Sequence, residues 1–359
     1  MPSHTNTMPG QGRVSGSRLL ALAALMALIL TALFASSVFA QEPLRGRWFL
    51  DLPAVDGEVE LSMHRKSARG RWQSSFDVRL AELRGFVAPT ASGDTAVRFQ
   101  LVRDAGSFQF EGYADRRGGS GTFGFTPDRG FLDEMRNELG EISMDKAYSL
   151  ALHDVSRAFI RELAALGYDG LSVDTLLKMR IHGADPAFVR ELKSLGYEKL
   201  TADDLVKMRI HGATPEFVRE LAALGYRQVA ADDLVKMRIH GATAEYVRAM
   251  QGLGYKDLSP DDLVKMRIHG ANPEYVRELN ALGYRDLAPE NLVKMRIHGV
   301  SAEFVRELRA LGYTRVDPEE LVRMRIHGVT PEFIRRMNAQ ERETLSPQDL
   351  ISLRIHRRG

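Results

Sequence analysis

The phrase Arg-Ile-His-Gly stands at residues 180–183, 209–212, 238–241, 267–270, 296–299 and 325–328, and Arg354-Ile355-His356 starts it once more, always 29 residues on. A fixed period of this length marks a unit that cannot bury its apolar face alone and stacks on copies of itself. Over more than half of the chain, the folding problem therefore reduces to the structure of one unit and the way it meets the next.

Each unit reads as two short helices. Thr214 is a capping residue, Pro215 suits the first helical position, and Glu216 places an acid in the first turn. Phe217, Val218, Leu221 and Leu224 then fall on one stripe, and Gly225 ends the helix. The second helix starts at Thr201-Ala202-Asp203-Asp204 or Ser259-Pro260-Asp261-Asp262, with Leu205, Val206, Met208 and Ile210 expected on its apolar side and Gly212 closing it. Helices of about ten residues are only about 15 Å long, and isolated helices below about 12 residues are marginal in water. Stacking supplies the burial that each lacks.

Ahead of the repeats the pattern changes. Arg13 and Arg18, the apolar run Leu19–Phe34 and the small residues up to Ala40 resemble a secretory signal peptide cleaved before Gln41. The rival reading is an uncleaved anchor, since residues 19–40 are 22 largely apolar residues and a bilayer needs about 20. The expected location is periplasmic or secreted, or, if residues 19–40 remain, anchored in the inner membrane. A membrane contact is expected only in that second case.

Residues 41–127 alternate with period two. Strands are expected over 47–52, 59–64, 71–79, 96–102, 107–113 and 121–125, with Val97, Phe99, Leu101, Phe108, Phe110, Phe123 and Phe125 on a core face. Trp48 and Trp72 share the phrase Arg-Gly-Arg-Trp. The aromatics either fill a small core or line a pocket for an apolar ligand. Residues 128–152 read as a bridge in which Phe131-Leu132-Asp133-Glu134-Met135 is a worn copy of Phe217-Val218-Arg219-Glu220-Leu221, and residues 153–359 as seven 29-residue αα repeats. The fold class is α+β: a small antiparallel β domain, as a sheet or partial barrel, followed by an α-helical-hairpin solenoid.

Charge and motifs exclude several functions. With 49 basic and 47 acidic residues the net charge is +2, so no overall field gathers nucleic acid, and none is expected as a partner. The absence of cysteine removes disulfides, thiol catalysis and thiolate metal sites. No nucleophile elbow, phosphate loop, dinucleotide fingerprint or zinc helix occurs, so no catalytic residue and no cofactor is assigned.

Within the units, the positions that vary are the candidates for recognising a partner: Lys193, Glu198, Lys199, Arg227, Gln228, Gln251, Lys256, Asn280, Arg285, Arg309 and Arg315. Either they form a binding face turned to solvent, or they have drifted on a solvated surface. The invariant positions read as structural. His182, His211, His240, His269, His298 and His327 fall at a helix end, where imidazole suits the last carbonyls. Equivalent places on stacked helices are roughly 8–10 Å apart, too far for successive histidines to share one ion. Arg180, Arg209, Arg238, Arg267, Arg296 and Arg325 are expected to join unit to unit through carboxylates, with Arg209 reaching the next unit's acidic first turn.

The phrases Met-Arg-Ile-His-Gly, Thr-Pro-Glu-Phe-Val-Arg-Glu-Leu and Leu-Gly-Tyr, over about residues 151–359, resemble the 29-residue repeats of bacterial envelope proteins, including tails attached to antirepressor metallopeptidases of the β-lactam-sensor type. The resemblance implies a helical repeat in an envelope setting. The peptidase part and its zinc motif are absent from this chain, so no protease activity carries over. The expected function is an exported scaffold that binds another protein; the alternative is a ligand-binding or enzymatic β domain with the repeats as spacer.

Overall fold

The computed structural model describes residues 44–67, 70–90 and 93–356. The signal peptide or anchor expected over residues 1–40 lies outside them. The chain divides into two compact units that meet in sequence at Asp128 and Arg129.

The first unit is a seven-stranded antiparallel sheet curled into a half-barrel. Its strands are β1 (Leu44–Asp51), β2 (Glu58–Ser67), β3 (Gly70–Arg79), β4 (Leu83–Arg84), β5 (Thr95–Arg103), β6 (Gly106–Asp115) and β7 (Gly118–Pro127). The order β3-β2-β1-β7-β6-β5-β4 joins two meanders through β1 and β7. All six expected strands are present, each somewhat longer than its alternation suggested; β4 has two residues, too few to show a period.

Alternation puts Trp48, Leu50, Leu61, Met63, Phe99, Leu101, Phe108, Phe110, Phe123 and Phe125 on the buried face. The rings fill it. Phe99 stacks on Phe110 with centroids 4.6 Å apart, and Trp48 meets Phe99 edge-on at 5.1 Å. The Trp48 indole spans β7 to donate from Nε1 to the Glu111 carbonyl oxygen on β6 at 3.1 Å. It can do so because Gly119 and Gly121 put nothing in its path. A Cβ at Gly121 would lie 2.0 Å from that same oxygen and 2.7 Å from Nε1.

The second unit is an array of sixteen helices among the described residues. They are α1 (Arg129–Leu139), α2 (Met144–Leu152), α3 (Arg157–Ala165), α4 (Val173–Ile181), α5 (Pro186–Ser194), α6 (Ala202–Ile210), α7 (Pro215–Ala223), α8 (Ala231–Ile239), α9 (Ala244–Gly252), α10 (Pro260–Ile268), α11 (Pro273–Ala281), α12 (Pro289–Ile297), α13 (Ala302–Ala310), α14 (Pro318–Ile326), α15 (Pro331–Glu341) and α16 (Pro347–His356). The segment read as a bridge is itself helical and opens the array. Each even-numbered helix from α2 packs on the next even-numbered one, and each odd-numbered helix from α3 on the next odd-numbered one, so the array is two rows.

Local chemistry fixes both ends of each helix. Thr214 accepts from the Phe217 N–H, with Pro215 at the first position. Thr201 and Asp204 form a reciprocal capping box. At the other end, the Gly183 N–H donates to the Arg180 carbonyl and the Ala184 N–H to the Met179 carbonyl, the paired bonds of a Schellman cap. The Leu-Gly-Tyr phrase builds the same cap, Gly196 to Lys193 and Tyr197 to Leu192. Gly183 has φ +71° and Gly196 has φ +90°, a region that only glycine enters cheaply. The two glycines per unit are therefore the two stops of a two-helix sentence.

Between the rows lie Leu205, Met208, Phe217, Val218 and Leu221, all buried. Ile210 departs from expectation. It and Ile181, Ile239, Ile268, Ile297, Ile326 and Ile355 are 49–55% exposed, on the outside of the even row.

Candidate functional site

The conserved-looking arginine of each unit points backwards along the array. Arg209 lies over the Phe188 ring of the helix before it, in the same unit, at 4.9 Å, Arg238 over Phe217 at 5.0 Å, Arg267 over Tyr246 at 5.3 Å and Arg296 over Tyr275 at 4.8 Å. Arg180 over Phe159, Arg325 over Phe304 and Arg354 over Phe333 repeat the geometry. The guanidinium also reaches the preceding helix end: Arg267 Nε donates to the Gly241 carbonyl at 3.0 Å, and Arg180 Nε to that of His153 at 3.1 Å. This corrects the expectation for Arg209, which meets a ring and a capped helix end behind it rather than an acidic turn ahead.

Of these arginines Arg180 also reaches a carboxylate, Asp154 at 3.0 Å; further carboxylate links lie on other residues. In the odd row, Arg161 pairs with Glu134, Arg190 with Glu162, Arg219 with Glu191 and Arg306 with Glu278, each one unit back. In the even row the lysine two places before the arginine makes the forward link: Lys207 to Asp232 and Lys294 to Glu319. A third tie went unread in the sequence. The tyrosine of Leu-Gly-Tyr donates its hydroxyl to a carbonyl in the next unit, Tyr197 to Val229 at 2.9 Å, Tyr226 to Leu258 at 2.8 Å and Tyr255 to Leu287 at 2.8 Å. A tyrosine at the same place in six successive units was the signal.

Burial decides how these phenols titrate. Desolvation raises Tyr197, Tyr226, Tyr255 and Tyr284, pushes Tyr246 up to about 12, and raises Tyr275 further still. A phenol raised above its unfolded value of about 10 stabilises fully below that value and loses its contribution as pH climbs through the folded value. Thermal melts followed by helical ellipticity are therefore expected to stay level up to about pH 10 and to fall above it. The double variant Tyr246→Phe, Tyr275→Phe is expected to fall less; an identical alkaline profile would remove these phenols as its cause.

The variable positions separate into two sets. Gln251 Nε2 donates to the Leu224 carbonyl at 2.8 Å, Arg309 donates to that of Leu282 at 3.2 Å, and the Lys193 ammonium sits 5.8 Å from the Tyr168 ring centre. The Gln228 side chain lies against Gly196. These four turn onto the preceding unit, whereas Glu198, Lys199, Arg227, Lys256, Arg285 and Arg315 are exposed and Asn280 is half-buried. His182, His211, His240 and His269 cap their helices and are exposed, and His298 and His327 are half-buried caps. Burial, then Arg180, holds the imidazole of His153 below its ordinary range. Among the described residues no group of three or more histidines and carboxylates is placed to hold a metal ion.

Two surfaces remain that the fold does not use. One is the outer face of the even row, where the isoleucine of each unit precedes the histidine by one residue and, in the first five, follows a lysine by three. Its acids and lysines largely compensate each other, which leaves the isoleucines as the apolar feature. The other is a depression of about 550 Å³ on the β unit, lined by Arg45, Gly46 and Arg47 of β1, His64, Arg65 and Lys66 of β2, and Arg71, Trp72 and Gln73 of β3. Among the described residues no helix is long and apolar enough to cross a membrane. Comparison of the chain with family models, with curated proteins and with solved structures finds no match.

Proposed function

We propose that the helical array is a non-enzymatic scaffold that holds another protein along the outer face of its even row, and that it works outside the cytoplasm, where residues 1–40 direct it. The observation that supports this reading is the isoleucine ladder: seven half-exposed aliphatic side chains at one position of successive units. A contiguous exposed apolar feature marks an interaction surface more often than scattered single residues do.

The energetics favour a periodic partner. Burying the exposed half of one isoleucine contributes about 1 kcal/mol, and association carries its own entropic cost, so several steps must be engaged together. Packed helices repeat at about 8–10 Å. Three residues of polyproline II rise about 9.3 Å, whereas same-face residues of a strand are about 6.7 Å apart. The partner is therefore an extended segment with an apolar side chain at every third residue. Because the flanking charges are already paired, binding is expected to depend little on salt.

A synthetic peptide of repeated Leu-Pro-Pro triplets, titrated calorimetrically against the full chain, is expected to bind in the micromolar range. Ile239→Ser with Ile268→Ser is expected to weaken it about tenfold, and a peptide of the same composition with scrambled spacing to bind poorly. Equal binding of both peptides, or none of either, would refute the docking face. A concentration-dependent dimer abolished by the two substitutions would assign the ladder to a second copy instead.

A further inference from the structure

The depression on the β unit arises because two strands part. The β1–β2 ladder runs from Leu50↔Leu61 only as far as Arg47↔His64. The neighbouring ladders continue beyond that point, β2–β3 to Ser67↔Gly70 and β1–β7 to Leu44↔Phe125. Beyond Arg47 and His64, therefore, β1 and β2 diverge, and the cleft opens between them. Strands that stop pairing inside a sheet leave backbone groups to be satisfied by something else.

Charge gathers at this opening. Alternation sends Arg45 and Arg47 of β1, Lys66 of β2 and Arg71 of β3 to the outer face, and all four line the cleft. Lys66 and Arg71 are direct cross-strand partners, an arrangement of like charges that costs stability. Among the described residues none of the four forms an ion pair, and their strands carry carboxylates only at the far end, Asp51, Glu58, Glu60 and Asp77.

We propose that the cleft is a binding site for a ligand carrying more than one phosphoryl charge, held by Arg45, Arg47, Lys66 and Arg71. Guanidinium groups match phosphoryl oxygens with paired hydrogen bonds, and lysine adds a mobile point charge. An anion between Lys66 and Arg71 converts their repulsion into two attractions. The volume of about 550 Å³ exceeds what a lone phosphate needs and lies within the usual range for small-molecule sites, so the phosphoryl groups belong to a larger molecule, a soluble phosphate compound or a lipid headgroup.

Inorganic pyrophosphate titrated into the full chain is the direct probe. One saturable site is expected, with affinity lowered roughly tenfold by Lys66→Gln and by Arg71→Gln. It should be unchanged by Arg84→Gln, an exposed cation of the same sheet outside the cleft. In the ligand-free protein each of the two cleft substitutions is expected to leave the melting temperature level or raise it, since each relieves a like-charge pair; this separates lost binding from lost folding. Sedimentation with phosphatidylglycerol and phosphatidylcholine vesicles distinguishes the sources. Binding to the anionic vesicles alone, displaced by pyrophosphate, identifies a lipid headgroup; pyrophosphate binding without vesicle binding identifies a soluble ligand. Failure of pyrophosphate to saturate, or an equal loss in Arg84→Gln, overturns the site.

Discussion

Trp48→Ala is expected to destabilise the β unit by about 3–5 kcal/mol. The side chain is fully enclosed, lies edge-on to Phe99 at 5.1 Å and to Phe110 at 6.2 Å, and closes a hydrogen bond to Glu111 of β6. Alanine removes the largest fully buried side chain of the half-barrel and leaves a cavity that the neighbouring rings, already in contact with one another, cannot collapse to fill. Trp48→Phe keeps much of the packing and loses the N–H donor, so about 1–2 kcal/mol is expected from it. Gly121→Ala attacks the same contact from the other side, because the new methyl would stand 2.7 Å from the indole nitrogen. Urea unfolding followed through Trp72, the one tryptophan left in the Trp48 variants, gives the measurement. A loss below about 1 kcal/mol for Trp48→Ala would mean that the indole fills space without anchoring β1 to β6.

The array was legible because its helices announce both ends. Thr214-Pro215 and Gly225, or Thr201 and Gly212, bracket nine-residue helices in the structure, and period two located every strand long enough to have one. The misreadings have specific causes. Ile210 was assigned to the core because it is apolar, yet it follows Met208 by two residues, about 200° round a helix of 3.6 residues per turn, and so faces away from it. Arg209 was aimed forwards because a repeat pattern is symmetric in direction: a contact with the unit before and a contact with the unit after leave the same period. Only the helix end that the guanidinium meets, at Gly183 behind it, breaks that symmetry. The basic cleft was hidden by averaging, since a net charge of +2 says nothing about cations gathered at one end of three strands. The doubled phrase Arg-Gly-Arg-Trp, whose first copy lies on β1 and whose Gly70-Arg71-Trp72 lies on β3, with His64-Arg65-Lys66 on β2 between them, was its trace in the sequence.

Arg267→Ala is expected to cost about 2–3 kcal/mol, from the cation–π contact with Tyr246 and the charged hydrogen bond to the Gly241 carbonyl. Arg267→Lys should recover less than half, because an ammonium lacks the planar fork that stacks and donates at once. The position within the array gives this prediction its force. Stability in a linear array is a sum of unit terms and nearest-neighbour interfaces, so a weakened interface in the middle divides it into two blocks that unfold separately. The equivalent change in the last unit, Arg354→Ala, loosens α16 from Phe333 and leaves the remainder continuous. Urea unfolding should therefore become biphasic for Arg267→Ala and stay a single transition with a frayed end for Arg354→Ala. Indistinguishable transitions in the two variants would show that the arginines act within their own units and do not couple them. If coupling holds, the same residue that locks two units also sets how many isoleucines stand in one unbroken row. A cut at Arg267 should then shorten the proposed docking face as well as the fold, weakening the triplet peptide although no isoleucine has been changed.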